Sequence, residues 1–405
     1  MRLNKDKSKS AYGGKPNDLI YFIICWISKI FLKIKYRIKI ENSSIQSMKP
    51  PFIVLGNHPS SLDPFIIAAA MYPHRINFLG TNYYFRNQLL RPLLRLGGII
   101  PKIQSYKDTR AVRMMNKVIA RGGILGICPE GRRSTDGSQY AVSDSISKLV
   151  KLYKVPVVAV VSHGAYLSKP RWSAFSHRGA IEVTVKEVLS AEQIEKLSLQ
   201  ELKNAICSSI NYNDYEWNKV RKISFKHKKI AENLHNILHQ CPSCGCEKAM
   251  AAKDSRLYCK LCGNAALMDE YEFLKPENES SLIFEDAVKW LNWQKDKAKE
   301  LVQSINFSIS ATASRLRIAD AFTGPYCNAG KGELFLNQEG LSFKGIADSA
   351  LKEMFFPLHV LSSISSEFGI NFEITDGKNT YCFFLEDGQD VIRIELAIQQ
   401  AVILP

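Results

Sequence analysis

Residues 52–67 read FIVLGNHPSSLDPFII. An apolar run ends at Gly56, a polar turn carries His58 and Asp63, and Pro64 opens a second apolar run. Short Ile- and Val-rich segments bounded by Gly or Pro read as strands, and Pro suits the first turn of a helix. The stretch therefore predicts a buried strand, a loop and a helix. The pattern repeats to residue 190: FIVLGN, INFLGTN, GIIPKI, GGILGICPEG, VPVVAVVSHG and AIEVTVKEVL are strand-like, with helix candidates over 64–71, 86–96, 109–121 and 143–153. Residues 49–190 are thus expected to form an α/β domain, a mixed, largely buried sheet flanked by helices.

Two turns in this domain carry chemistry. If the loop before Pro64 folds back, the Asp63 carboxylate accepts a hydrogen bond from one imidazole nitrogen of His58. That bond fixes the tautomer and leaves the other nitrogen to take a proton from an alcohol. The competing reading makes Asp63 a helix cap and His58 a satisfied loop residue. Further on, CPEGRRSTDG at 128–137 follows the apolar GGILGI and sits where a buried strand ends, the usual ligand position in open α/β sheets. Glu130, Gly131, Arg132 and Arg133 place a carboxylate and two guanidiniums on a tight turn, and guanidinium suits bidentate binding of phosphate. Alone, this turn could equally be a surface ion pair.

In this order and separation, NHPSSLD, PEGRRS and VPVVAV resemble the glycerophospholipid acyltransferase family of PlsC type. Asn57, His58, Ser60 and Asp63 match its first block; Pro129, Glu130, Gly131, Arg133 and Ser134 match its third; Val155, Pro156, Val157, Val158 and Val160 match its fourth. The resemblance spans roughly residues 19–190. It implies an α/β acyltransferase fold that moves a fatty acyl group from an acyl-CoA or acyl carrier protein thioester to a lysophosphatidate-like (1-acylglycerol-3-phosphate) hydroxyl. By that resemblance His58 is the base, Asp63 orients it, and Glu130, Gly131 and Arg133, with Asn57, Ser60 and Ser134, form the acceptor site. The sequence departs from the pattern twice. Gln104 stands where the second block has Arg, so that Lys102 would substitute as a point charge, and Ala159 replaces the second Pro of the fourth block.

The chain has 405 residues and a net charge of +15, with 46% hydrophobic and 23% charged residues, which is globular and large enough for two or three domains. Charge is unevenly spread: residues 1–40 hold ten Lys or Arg against two Asp, whereas 331–405 hold five against eleven Asp or Glu. A basic front suits an anionic surface. Within it, LIYFIICWISKIFL at 19–32 is only fourteen residues long and contains Lys29, too short for the ~20 apolar residues of a bilayer span. With KIKYRIKI behind it, residues 1–48 are expected to form a basic amphipathic segment lying on a membrane surface. A first core helix with a basic tail is the plainer alternative, and a transmembrane span over 19–32 is the third. A peripheral or monotopic protein on the cytoplasmic face fits these features and the reduced thiols described next.

Residues 191–240 read as a helical connector, since no Gly or Pro interrupts them. The segment 241–270 holds CPSCG and CKLCG: Cys241 and Cys244, then Cys259 and Cys262, with fourteen residues between the pairs. Two C-x2-C turns present four thiolates to one tetrahedral Zn(II), so a structural zinc ribbon is expected, with Cys246 a bystander. His235 and His239 read as exposed helix residues. Residues 271–305 predict a helix bearing Phe284, Val288, Leu291, Ala298, Leu301 and Val302 on its apolar stripe. Residues 306–405 predict a small β-rich domain with hairpins at Glu339-Gly340 and Asp376-Gly377 and a closing helix. That domain resembles the pleckstrin-homology or GRAM type, and its acidity points to a protein partner. Rival classes are a non-catalytic lipid-bound scaffold and a nucleic-acid-binding protein using KVRKISFKHKK and the ribbon. Aromatics are sparse in that basic stretch, so no nucleic-acid partner is expected.

Overall fold

The structure, a computed structural model, describes residues 12–42, 45–104, 108–322, 324–347, 350–361 and 364–403. The basic lead over 1–11 lies outside these. The described residues fall into two compact units. The first runs to 103 and takes 108–170 and 178–224; the second takes Gln104, 171–177 and the chain from 225 onward.

The first unit is a seven-stranded mixed sheet. Its strands are β1 (Lys39–Asn42), β2 (Phe52–Gly56), β3 (Ile76–Thr81), β4 (Ile100–Lys102), β5 (Ile124–Ile127), β6 (Val157–His163) and β7 (Glu182–Leu189), in the order β1-β7-β6-β2-β5-β3-β4. From β6 to β4 all strands are parallel; β7 runs antiparallel to β6 and carries β1 parallel to itself. Every residue of β2 and β5 is buried, as central parallel strands covered on both faces require. Alternate side chains serve opposite layers. Ile53, Leu55, Leu125 and Val157 pack with Ala111, Met115 and Val118 of α4 (Thr109–Ala120) and with Ile146 and Val150 of α5 (Asp144–Tyr153). Phe52, Val54, Val158 and Val160 pack with Leu32 and Tyr36 of α1 (Asp18–Tyr36) and with Ile66 and Ile67 of α2 (Asp63–Met71). A short α3 (Leu90–Leu96) precedes β4, and α6 (Ala165–Ser168) follows β6.

Helix α1 packs one stripe into the core and leaves other apolar side chains exposed. Asn17 caps it by accepting from the Ile20 N–H, and Asp18 at its start and Lys33 and Lys35 at its end complement the helix dipole. Tyr21, Cys25, Ser28, Leu32 and Tyr36 form its buried stripe, while Phe22, Trp26, Ile27, Phe31 and Ile34 remain exposed. It is a core helix with a second, outward apolar face. No helix among the described residues is long and apolar enough to cross a membrane.

The expected connector over 191–240 is corrected. Three short helices, α7 (Ala191–Lys196), α8 (Leu199–Ser209) and α9 (Asp214–Arg221), replace a rod, and Ile194, Leu202 and Ile206 bury themselves in the first unit's core. Ser190 and Ser198 each start a helix through a reciprocal capping box with Gln193 and Glu201, and Asn213 caps α9. The basic stretch leaves the helix at Lys222, in a left-handed conformation, so it presents no continuous basic helix face.

The second unit carries strands β8 (Met250–Lys253), β9 (Arg256–Cys259), β10 (Ala265–Met268) and β11 (Leu274–Pro276) as one antiparallel sheet, then α10 (Ala287–Val302). A larger antiparallel sheet follows: β12 (Ile309–Asp320), β13 (Cys327–Leu336), β14 (Gly340–Ala347), β15 (Ala350–Pro357), β16 (Ser365–Glu367), β17 (Asn371–Thr375) and β18 (Asn379–Leu385). Its order is β15-β14-β13-β12-β18-β17-β16, and α11 (Gln389–Ile403) closes the chain. Both expected hairpins are present, between β13 and β14 and between β17 and β18. Of the predicted stripe on α10, Leu291 and Val302 are buried, joined by Ala287, Trp290 and Gln294. His239 is buried, not exposed on a helix, and desolvation pushes its imidazole down to about 3.

Candidate active site

The turn after β2 answers the question its sequence poses. The Asp63 Oδ2 atom lies 2.7 Å from His58 Nδ1 and accepts from the Ser60 N–H at 3.0 Å, and Asp63 makes no capping bond to the helix it begins. Pro64, which needs no hydrogen-bond partner for its nitrogen, starts α2 and leaves the carboxylate pointing back into the loop. The bond assigns the proton of neutral His58 to Nδ1, so that Nε2 is the basic nitrogen. The His58 side chain is 22% exposed and that of Asp63 1%. Burial raises the Asp63 carboxyl above its ordinary range, against the pull of His58, the Ser60 N–H and the nearby Arg133 guanidinium.

The turn after β5, the neighbouring strand, is stitched to this loop. Glu130 Oε1 accepts from the His58 N–H at 2.7 Å, its Oε2 accepts from the Tyr140 N–H at 2.8 Å and the Tyr212 hydroxyl at 3.3 Å, and the Ser134 N–H donates to the His58 carbonyl at 2.9 Å. Gly131 turns the chain at φ +70°, in the left-handed region that favours glycine. Glu130 thus faces inward and holds the backbone of the histidine. Arg133 lies near enough to Asp63 to stabilise its charge, and Arg132 stacks on the Tyr140 ring at 4.6 Å.

Three further motif residues are structural at the atoms described. Asn57 clips β2 to β6, donating to the Ser162 carbonyl at 2.8 Å and accepting from its N–H at 2.9 Å. Ser60 is fully buried, its hydroxyl accepting from the Leu62 N–H. The Ser134 hydroxyl donates to the Ser138 carbonyl and accepts from the Gly137 N–H. Lys102 ends β4, at the sheet edge and beyond β3 from Glu130's strand; its ammonium donates to the Ile103 carbonyl and neighbours Asp108. Cys128 is the thiol nearest the chemistry, but burial, with Asp63 and Glu130 close by, pushes it well up and disfavours the thiolate nucleophile.

Tyr140, Tyr212, Ser162 and Asp214 were not singled out from sequence. Asp214, fully buried, accepts from the Tyr166 N–H at 2.9 Å, and burial lifts it to about 7. Only tertiary contact identifies these residues. A buried chain of Ser173, His177 and Glu272 in the second unit has relay spacing, 3.2 and 2.5 Å, yet His177 and Glu272 are wholly inaccessible, and we read it as a brace. Cys241, Cys244, Cys259 and Cys262 converge in that unit, their sulfurs all within 4.8 Å of one another.

Burial pushes Glu130 up to about 8 from 4.5, against the N–H groups of Tyr140 and His58; the charge of Asp63 adds to the rise. Between those two values the native state keeps a proton that the unfolded chain has lost, so raising pH through this window lowers stability, by up to a few kcal/mol. Glu130→Gln, which removes the titrating carboxyl, is expected to remove that share of the slope in thermal melts followed by circular dichroism. An unchanged slope would refute the assignment.

Residues 37–163 match the model of the family described as Acyltransferase. The match lies within the first unit, and both the His58 and Glu130 turns fall inside it. Among solved structures, the 1-acyl-sn-glycerophosphate (LPA) acyltransferase PlsC from Thermotoga maritima is similar, at 19% identity over 54% of this chain and 84% of that chain, with a TM-score of 0.42. No curated protein matches the chain.

Proposed function

We propose that the first unit is an O-acyltransferase that moves a fatty acyl group from acyl-CoA or acyl carrier protein to the free hydroxyl of a 1-acylglycerol-3-phosphate-like acceptor. The observation that carries this reading is the 2.7 Å contact between His58 Nδ1 and Asp63 at the carboxyl end of a central strand, which leaves Nε2 as a base. The acyltransferase match over the same residues supports the reaction class.

In this mechanism His58 Nε2 takes the hydroxyl proton as the acceptor oxygen bonds to the thioester carbonyl carbon. The carbon–sulfur bond then breaks, and the departing thiolate takes the proton from the imidazolium. Asp63 holds the ring and stabilises its transient charge. A thioester is already activated, so positioning and a base suffice. Glu130 is a positioning residue, through the His58 N–H. Arg133 is the phosphate-binding cation beside the base, and Lys102 would reach only a more distant part of the acceptor.

The outward face of α1 supports a seat on the cytoplasmic membrane surface. Exposed Leu89, Leu90, Leu93 and Leu96 adjoin its start, where the Asn17 N–H meets the Leu96 carbonyl, and Lys29, Lys33 and Lys35 are placed for anionic headgroups. The β-rich C-terminal domain would contact a protein partner.

The acceptor is tested with acyl-CoA and a set of lysolipids, with and without a phosphomonoester. Arg133→Ala is expected to raise KM for 1-acylglycerol-3-phosphate roughly 10- to 100-fold, the loss of one or two charge-assisted hydrogen bonds, and to leave KM for neutral monoacylglycerol little changed. Equal loss on both acceptors would remove the phosphate role.

A further inference from the structure

The two cysteine turns of the second unit are built alike. In each the glycine after the second cysteine has positive φ, +72° at Gly245 and +76° at Gly263, and donates its N–H to the carbonyl of the first cysteine, at 2.9 and 3.1 Å. Across the turns the sulfurs of Cys241 and Cys262 lie 3.6 Å apart and those of Cys244 and Cys259 3.8 Å, and all four lie within 4.8 Å of one another.

Those lengths discriminate between chemistries. A disulfide needs about 2.05 Å between sulfurs. Four sulfurs about 2.3 Å from a central Zn(II) stand about 3.8 Å apart along the edges of their tetrahedron. The cluster has the dimension of an occupied tetrathiolate site, with no open ligand position for a substrate.

The turns are also wired into the rest of their unit. The Gln240 N–H donates to the Gln294 side chain of α10 at 3.0 Å, and its carbonyl accepts from the Trp290 indole at 3.1 Å. Asn264 donates to the Cys241 sulfur and to the Leu282 carbonyl. Just beyond the first turn, Glu247 pairs with Arg393 at 2.6 Å and Lys248 with Asp390 at 3.0 Å, both on α11.

We propose that Cys241, Cys244, Cys259 and Cys262 bind one Zn(II) as thiolates, and that the ion fixes the seating of α10 and α11 against the cysteine turns. Binding releases the thiol protons to solvent, and no oxidant is involved. This ion belongs to the folding of the second unit and takes no part in acyl transfer.

The test uses the full-length chain, purified under reducing conditions. Elemental analysis is expected to find one zinc per chain, retained by Cys246→Ser and lost from Cys262→Ser. Titrating the wild-type thiols with a mercurial should release the zinc to a chromogenic chelator and, in step, accelerate amide exchange in 287–302 and 389–403. Wild type that neither contains nor takes up zinc, that carries iron with its visible charge-transfer colour, or that shows disulfides among the four cysteines would overturn the metal assignment. Zinc release with exchange in the two helices unchanged would overturn the clamp.

Discussion

Replacing His58 with alanine is expected to lower kcat for acyl transfer roughly 10³-fold while changing KM for either substrate little. In the proposed mechanism the imidazole holds no part of the donor or acceptor tightly; its contribution is the proton it takes as the carbon–oxygen bond forms. Alanine also strips Asp63, which is buried, of its imidazole partner. His58→Gln is therefore the second variant: its amide still donates to Asp63 but cannot act as a base, and it should lose the same factor. If the glutamine variant retained most of the activity, His58 would be a packing residue and the base would lie elsewhere.

Asp63→Asn carries the second large effect, about 10²- to 10⁴-fold in kcat. Asp63 Oδ2 accepts both from the Ser60 N–H and from His58 Nδ1. If the amide oxygen takes that place, geometry survives but the negative charge that stabilises the forming imidazolium is gone. If the amide nitrogen takes it, Nδ1 becomes an acceptor, the proton moves to Nε2 and the base is blocked. Stability separates this from unfolding. Burial raises the Asp63 carboxyl, so the native state keeps a proton at pH values where the unfolded chain has released it, and the aspartate costs stability as pH rises above its ordinary range. The asparagine variant should thus melt no lower than wild type at neutral pH while being nearly inactive.

Much of the first unit could be read from residues 52–190. Six of its seven strands were legible as short Ile- and Val-rich runs bounded by Gly or Pro; the central β2, β5 and β6 are buried on both faces, and β7 shows the alternation of a half-buried strand. β1 was hidden at the end of KIKYRIKI and just beyond it, where Lys39 and Glu41 alternate with Ile38 and Ile40 as an edge strand allows and a basic tail would too. The breaks in 191–240 are written in the sequence as Ser190 with Gln193 and Ser198 with Glu201, capping boxes that start new helices without any Gly or Pro between them.

The site was legible as residue types and less so as roles. The carboxylates of Asp63 and Glu130 both turn toward His58, one to its ring and one to its backbone, and nothing in the local spacing distinguishes a phosphate ligand from a brace. Tyr212 reaches Glu130 from 82 residues away, a juxtaposition only the fold supplies. The four-cysteine cluster is the opposite case, since its two short turns fix their own geometry and the sequence spacing already specifies four converging sulfurs.

The most direct measurement incubates the purified wild-type chain with acyl-CoA and 1-acylglycerol-3-phosphate in lipid vesicles and follows free thiol and diacyl product together. The account predicts one thiol released for each acceptor acylated. Intact acyl-CoA across the acceptor series, from protein that still binds the vesicles, would contradict it and mark the chain as a lipid-bound scaffold.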